Sequence, residues 1–321
     1  MTISYYAKAM LSMLIIGQCC LSANAQIQTA NLDKLSNIKG KTVYVVMKDP
    51  NAEDAKPYKD VFEKYWTISK VEFVKRSDLK EYQKADKAIL VMSGKENSYQ
   101  SQTRYSDGHS ESGMTVSNTH INLNLLYFDQ VGSSDKRKGN IAFNIAQIEI
   151  YTDFATIMSP SDMSDYDYSG EGHFRNWGPG FLKNYIQNLM VLFNSGKEKS
   201  KYKESLNEKE LAQVKNKTLY IPDYVFIKFN KFNGNESEEF KEKDIFKDYP
   251  YTYKVLTTEE LNKMILDEEA APFYYLTYIK SSTDKYISVV NSKTGEFVYS
   301  QYSAASYNMK AGDVKDLAKK L

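Results

Sequence analysis

The segment from Asp165 to Asn176 carries the spacing with the clearest chemical meaning. Asp165-Tyr166-Asp167-Tyr168-Ser169-Gly170 sets an oxygen-bearing side chain at alternate positions and ends on glycine. The first half of a calcium loop is built this way, with oxygens wrapping a hard cation and glycine allowing the sharp turn. The second half departs from the pattern. The twelfth position, where a bidentate glutamate closes such a loop, is Asn176, and the apolar eighth position is Gly172. Glu171, Asp162 or Asp153 would have to supply the missing carboxylate, and Pro160 argues against a helix leading in. One expectation is therefore a calcium site on Asp165, Asp167, Ser169 and Glu171. The other is a polar acidic loop with no ion.

Three histidines are present, His109, His120 and His173. None has the paired helical spacing of a zinc site. The nucleophile turn G-x-S-x-G, the phosphate loop and the dinucleotide fingerprint do not occur. A serine–histidine–aspartate triad needs no fixed spacing. A hydrolase built on His109, His173, Asp165 and Asp167 therefore stays open as an alternative. The run GEGHFRNWGPG from Gly170 to Gly180 leads into an apolar periodic stretch. It could open an anion-binding helix N-terminus aided by His173 and Arg175. The simpler reading is helix punctuation, with Pro179 in the first turn and Trp177 packed beneath it. Trp66, at a helix-to-strand junction, reads as core before it reads as an interface anchor.

The elements that must position these residues read as one unit written twice. Lys41-Thr42-Val43-Tyr44 is answered by Lys217-Thr218-Leu219-Tyr220, and the FEKY that ends at Tyr65 by the FKDY that ends at Tyr249. β-type stretches follow at 70–74 and 251–256, helix openers at 77–79 and 259–261, and apolar strands at 88–92 and 273–279. A long antiparallel pair then closes each copy, 120–128 with 141–151 and 285–290 with 296–302. Leu182, Ile186, Leu189, Met190 and Phe193 recur at helical spacing, and Gly196 stops that helix. Alternating strands and helices predict an α/β fold with mixed sheets, in two tandem similar lobes produced by internal duplication. The first lobe spans 32–198, a charged linker 199–210, and the second lobe 211–321. Ser205 and Glu208 fit a capping box for a helix in the linker region. The first copy has two polar insertions, 93–119 and 153–180, that the second lacks. Long loops on a repeated scaffold are the expected seat of function.

Residues 1–25 read as a signal peptide. Lys8 precedes the apolar run from Ala9 to Gly17, and Ala23-Asn24-Ala25 is a small-residue cleavage site. A lipoprotein signal at Cys19 or Cys20 fits less well, because neither follows a small residue. Cleavage after Ala25 leaves 296 of the 321 residues and removes both cysteines. The exported chain then has no disulfide and no thiol chemistry. It also loses Lys8, so 42 basic residues fall to 41 against 41 acidic. A neutral chain lacks the basic face that nucleic acid requires. No apolar run after the signal is long enough to span a membrane.

The signal ending before Gln, the richness in Tyr, Lys and Asn, and the repeated K-T-[VL]-Y and F-x-x-Y motifs resemble uncharacterised exported proteins of Bacteroidota-type bacteria. The element order of each copy is similar to small α/β modules of envelope proteins. Examples are the amino-terminal domain of the Tol-associated propeller protein and the core of the curli-secretion lipoprotein. That resemblance implies an α/β fold in the periplasm or secreted through the envelope, and it carries over no catalytic residue. The leading expectation is a non-catalytic periplasmic binding or envelope-assembly module that takes an envelope protein or a small ligand. The hydrolase is the alternative, and a calcium-stabilised structural protein a second alternative.

Overall fold

The computed structural model describes residues 26–104, 110–130, 140–230, 233–237, 242–282, 284–304 and 306–321. The expected signal peptide, both cysteines and His109 lie outside these residues.

The first half forms a six-stranded mixed sheet. Its elements are β1 (Ile27–Thr29), β2 (Thr42–Met47), α1 (Lys56–Tyr65), β3 (Lys70–Lys75), β4 (Ala88–Arg104), β5 (Ser110–Gln130), β6 (Asn140–Ile150) and α2 (Pro179–Ser195). The second half adds β7 (Ser205–Leu206), α3 (Glu208–Val214), β8 (Leu219–Pro222), β9 (Lys228–Phe229), β10 (Glu236–Ser237), β11 (Tyr253–Leu256), α4 (Thr258–Leu266), β12 (Tyr274–Lys280), β13 (Asp284–Asn291), β14 (Phe297–Ala304) and α5 (Ala311–Lys320). Strands alternating with helices give the α/β class expected from the periodicity.

Taken from their parallel edges, the sheets run β3-β2-β4-β5-β6-β1 and β11-β8-β12-β13-β14-β7. The sense of pairing agrees at every step, parallel for the first three strands and antiparallel after. The registers agree as well. Val43 faces Val71 and Ala88, and Leu219 faces Tyr253 and Tyr274. Ala88 then faces Tyr127, and Tyr274 faces Asn291. Each sheet has a register break between its fourth and fifth strands, at Leu125/Leu126 and at Val289/Val290. Both breaks lie two residues before the position just matched, so even the irregularity is shared.

Helix α2 joins the halves. It is buried on nearly every side, and Gly196 at φ 64° ends it in a left-handed turn. Its apolar stripe includes Phe193, whose ring meets Trp66 beside α1 at 6.3 Å. Its polar side chains bond the other half. Asn184 Nδ2 donates to the Ser292 carbonyl at 2.9 Å, and Asn188 Nδ2 to that of Gly295 at 3.1 Å. Lys183 Nζ donates to the Ile265 carbonyl at 2.7 Å. Most buried apolar residues of the two halves form one continuous cluster, and Val46, Val74, Ile89, Val91 and Phe128 form a smaller one on the first sheet.

Two sequence expectations change. The insertion 93–119 is not a loop where it is described. β2 pairs with β4 only as far as Leu90, and β6 pairs with β5 from Ile121. Beyond those points β4 and β5 pair with each other alone, out to Arg104 opposite Ser110, as a two-stranded arm. The segment 199–210 is not a solvated linker. β7 lies within it as the sheet's edge strand, Lys199 exchanges backbone hydrogen bonds with Thr29, and Lys199 and Lys201 are buried. The helix cap is Asn207, which accepts from the Glu210 amide, rather than Ser205.

Candidate functional site

A cleft of about 880 Å³ opens between the halves. One wall is the second insertion, through Ser169, Gly172, Phe174, Arg175 and Trp177. The facing wall comes from the second sheet. Asp223, Tyr224, Phe226 and Ile227 follow the carboxyl end of β8, Val255 sits in β11, and Thr258, Glu259 and Asn262 begin α4. From β8 the chain crosses to β11 on one side and then returns to β12 on the other. Ligand crevices in α/β sheets form at carboxyl strand ends where successive crossovers diverge in this way.

The cleft combines aromatic surface with acidity. Tyr58 and Trp177 stack at 5.8 Å, and the indole N–H donates to the Tyr168 carbonyl at 2.7 Å. Three carboxylates, Asp223, Glu242 and Glu259, and one guanidinium, Arg175, line the cleft; Asp223 accepts from Thr258 Oγ1 at 3.1 Å, and Glu259 pairs with Lys263 at 2.6 Å. That guanidinium is already shared with Glu236, its Nη2 lying 3.4 Å from the carboxylate. Lys280 also donates to Glu236, at 3.1 Å, over the Phe229 ring. Burial pulls the Lys280 ammonium below the ordinary lysine value, and Glu236 opposes that. The two helix N-termini in the wall are closed to anions. Asn262 Oδ1 accepts from the Gly180 and Phe181 amides of α2, and Thr257 and Glu260 form a capping box on α4.

The first sheet has the same crevice, and there it is filled. Met47 and Lys48 at the end of β2, Arg76 after β3 and Met92 of β4 surround a residual space of about 20 Å³, room for about one water. Met163, Tyr166, Asp167 and Tyr168 from the second insertion occupy the rest. Lys48 Nζ lies 3.3 Å from Asp167 and 3.7 Å from Glu171. The hydrogen bond to Asp167 raises the Lys48 ammonium above its ordinary value. Tyr168 is buried, and Arg76 donates to the Met92 carbonyl at 2.8 Å.

Of the four residues of the expected calcium loop, Asp167 and Glu171 come together, around an ammonium. Asp165 accepts from Ser164, and Ser169 Oγ from the Glu171 amide. Asn176 is wholly buried and binds the backbone of Glu149 and Tyr151. Among the described residues no three histidine, cysteine or carboxylate side chains gather as a metal site. His173 pairs through Nδ1 with Asp153 at 2.6 Å, rather than with Asp165 or Asp167, and stacks on Tyr166 at 4.4 Å. Burial opposes ionisation of Asp153, but hydrogen bonds from Thr156 and His173 hold its carboxyl below the ordinary value. The Asp153 bond and the Tyr166 ring fix the orientation of this imidazole. Among the described residues no hydroxyl hydrogen-bonds that ring. His120 lies deep in the interface between the halves, its Nδ1 at 2.6 Å from Glu149. The second insertion thus supplies one wall of the cleft, while the described residues of the first supply none of its lining. Asp223, Tyr224, Glu242 and Asn262 were not singled out by spacing. They converge only through the crossover order, which no local motif encodes.

No known protein family, curated protein or solved structure matches the chain. No helix among the described residues is long and apolar enough to cross a membrane.

Proposed function

We propose that the chain is an exported, non-catalytic binding protein of the cell envelope, released after Ala25, whose ligand enters the cleft between two copies of a duplicated α/β unit. The observation that carries this reading is the open cleft itself. Its volume of about 880 Å³ falls in the range of roughly 300–1,000 Å³ typical of ligand sites, and it sits where such sheets place ligands. Its aromatic walls supply apolar area and its carboxylates supply orientation. A bound ligand would touch both halves, so either an envelope-protein segment or a small molecule could be held there.

The test is a ligand-observed NMR fragment screen on the mature chain and on Thr258→Trp, which puts an indole into the half-buried mouth of the cleft. Fragments that use the cleft should lose affinity by about ten-fold or more in the variant. Fragments that bind both proteins equally would place the binding surface elsewhere and sink the reading.

A further inference from the structure

The two crevices stand in matched positions, so one can be read from the other. Matching Val43 to Leu219 sets Lys48 against Tyr224, and matching Val71 to Tyr253 sets Arg76 against Thr258. The first crevice is basic, through Lys48 and Arg76. It is filled by a segment of the chain itself, which brings Asp167 and Glu171 to Lys48 and lays Tyr166 and Tyr168 against the strand ends. In the second crevice neither matched position is a cation, and Arg175, shared with Glu236, is the one guanidinium in the lining. Asp223 and Glu259 flank the matched positions, Glu242 joins them, and no described segment of the chain fills the space. The fold thus shows its mode of occupancy, an acidic, aromatic peptide segment, once inside the molecule, and offers the same seat with the opposite charge.

We propose that the open crevice receives a short peptide segment in which lysine or arginine alternates with aromatic side chains, the charge-reversed counterpart of Tyr166-Asp167-Tyr168. The inference rests on the cleft being the binding site, and it adds the chemistry of the ligand. Aromatic side chains of the segment meet Trp177, Phe174 and Phe226, and its cations meet Asp223, Glu242 and Glu259. The carboxylates stand at an exposed rim, so they set preference and approach more than raw affinity.

Two hexapeptides test this by calorimetry on the mature chain. One is the internal sequence DYDYSG, and the other is KYKYSG. The basic peptide should bind about ten-fold or more tightly than the acidic one at low salt, with the difference shrinking as salt is added. Asp223→Asn with Glu259→Gln should weaken the basic peptide by about ten-fold, and Asp223→Lys with Glu259→Lys should reverse the order. Both sites are exposed, and an unchanged melting temperature confirms that each variant is folded. Equal binding of the two peptides, or indifference of the basic one to the neutral variants, overturns the inference. If neither peptide binds while fragments sensitive to Thr258→Trp do, the ligand class is wrong and the cleft reading stands. If those fragments fail too, both fall.

Discussion

Lys199 shows how a residue written as surface becomes interior. Its backbone exchanges hydrogen bonds with Thr29, and the residue is only 9% exposed. Burial drives its ammonium down to about 7, and Glu296 offsets only part of that. The unfolded chain holds this proton up to about pH 10.5, so between pH 7 and 10.5 the folded state binds fewer protons. Stability contributed by this site therefore rises with pH across that window. Lys199→Met removes the buried charge. It should stabilise the protein at pH 7 by about 2 kcal/mol, roughly half of what the full shift converts to, and flatten the rise between pH 7 and 9. Urea unfolding of both proteins at the two pH values checks this. Parallel slopes would show that Lys199 stays solvated. Nothing in the run Lys197 to Lys203 marks two of its lysines for burial. Alternation with polar residues looks the same whether a segment is solvated or sealed by a strand from 170 positions away.

At the scale of elements, regular structure was legible wherever a short period met a local signal. Lys41-Thr42-Val43-Tyr44 and Lys217-Thr218-Leu219-Tyr220 do mark the first parallel strands, β2 and β8. The stretches 70–74 and 251–256 do become the edge strands β3 and β11. The arm was read as a loop because its polar, serine-rich composition mimics one, while its backbone groups are satisfied by the partner strand regardless of side chain. The filled and open crevices were invisible, because what fills the first lies about 120 residues beyond β2 in the chain. Helix α2 was legible in position and in its apolar stripe, but not in its second face. Asn184 and Asn188, which look solvent-facing in sequence, are the contacts to the other half. Leu189, 2% exposed, belongs to the apolar stripe. Leu189→Asp buries an unpaired carboxylate there and should cost about 3–5 kcal/mol. A melting temperature unchanged by this substitution would mean that the stripe is not packed.

At the scale of the whole molecule, the interface between the halves is polar at its centre and should make them unfold as one. Glu149 of β6 is wholly buried between His120 Nδ1 at 2.6 Å and Lys201 Nζ at 2.5 Å. His120 Nε2 lies 3.8 Å from Asp284 of β13, in the other sheet. Beside this cluster, Ser282 Oγ accepts from the Thr119 amide at 2.7 Å, and Gln26 bridges the Glu149 carbonyl and Thr277. Burial alone would raise the Glu149 carboxyl, but Lys201 and the His120 hydrogen bond outweigh it and hold it below the ordinary value. Its folded value is therefore the lower one. The stability it contributes is present above the unfolded value near 4.5 and is lost as pH falls through the folded value. Glu149→Ala leaves Lys201 and His120 buried without their anion, a change that costs about 3–5 kcal/mol for comparable pairs. Because α2 and the continuous core tie the sheets together, that loss should lower one common transition. Scanning calorimetry at pH 7 should show a single endotherm for both proteins, shifted down in the variant, and a smaller gap between them at pH 3.5. Two endotherms, with only the first half's moved, would mean that the halves are independent bodies and that the cleft between them has no fixed shape.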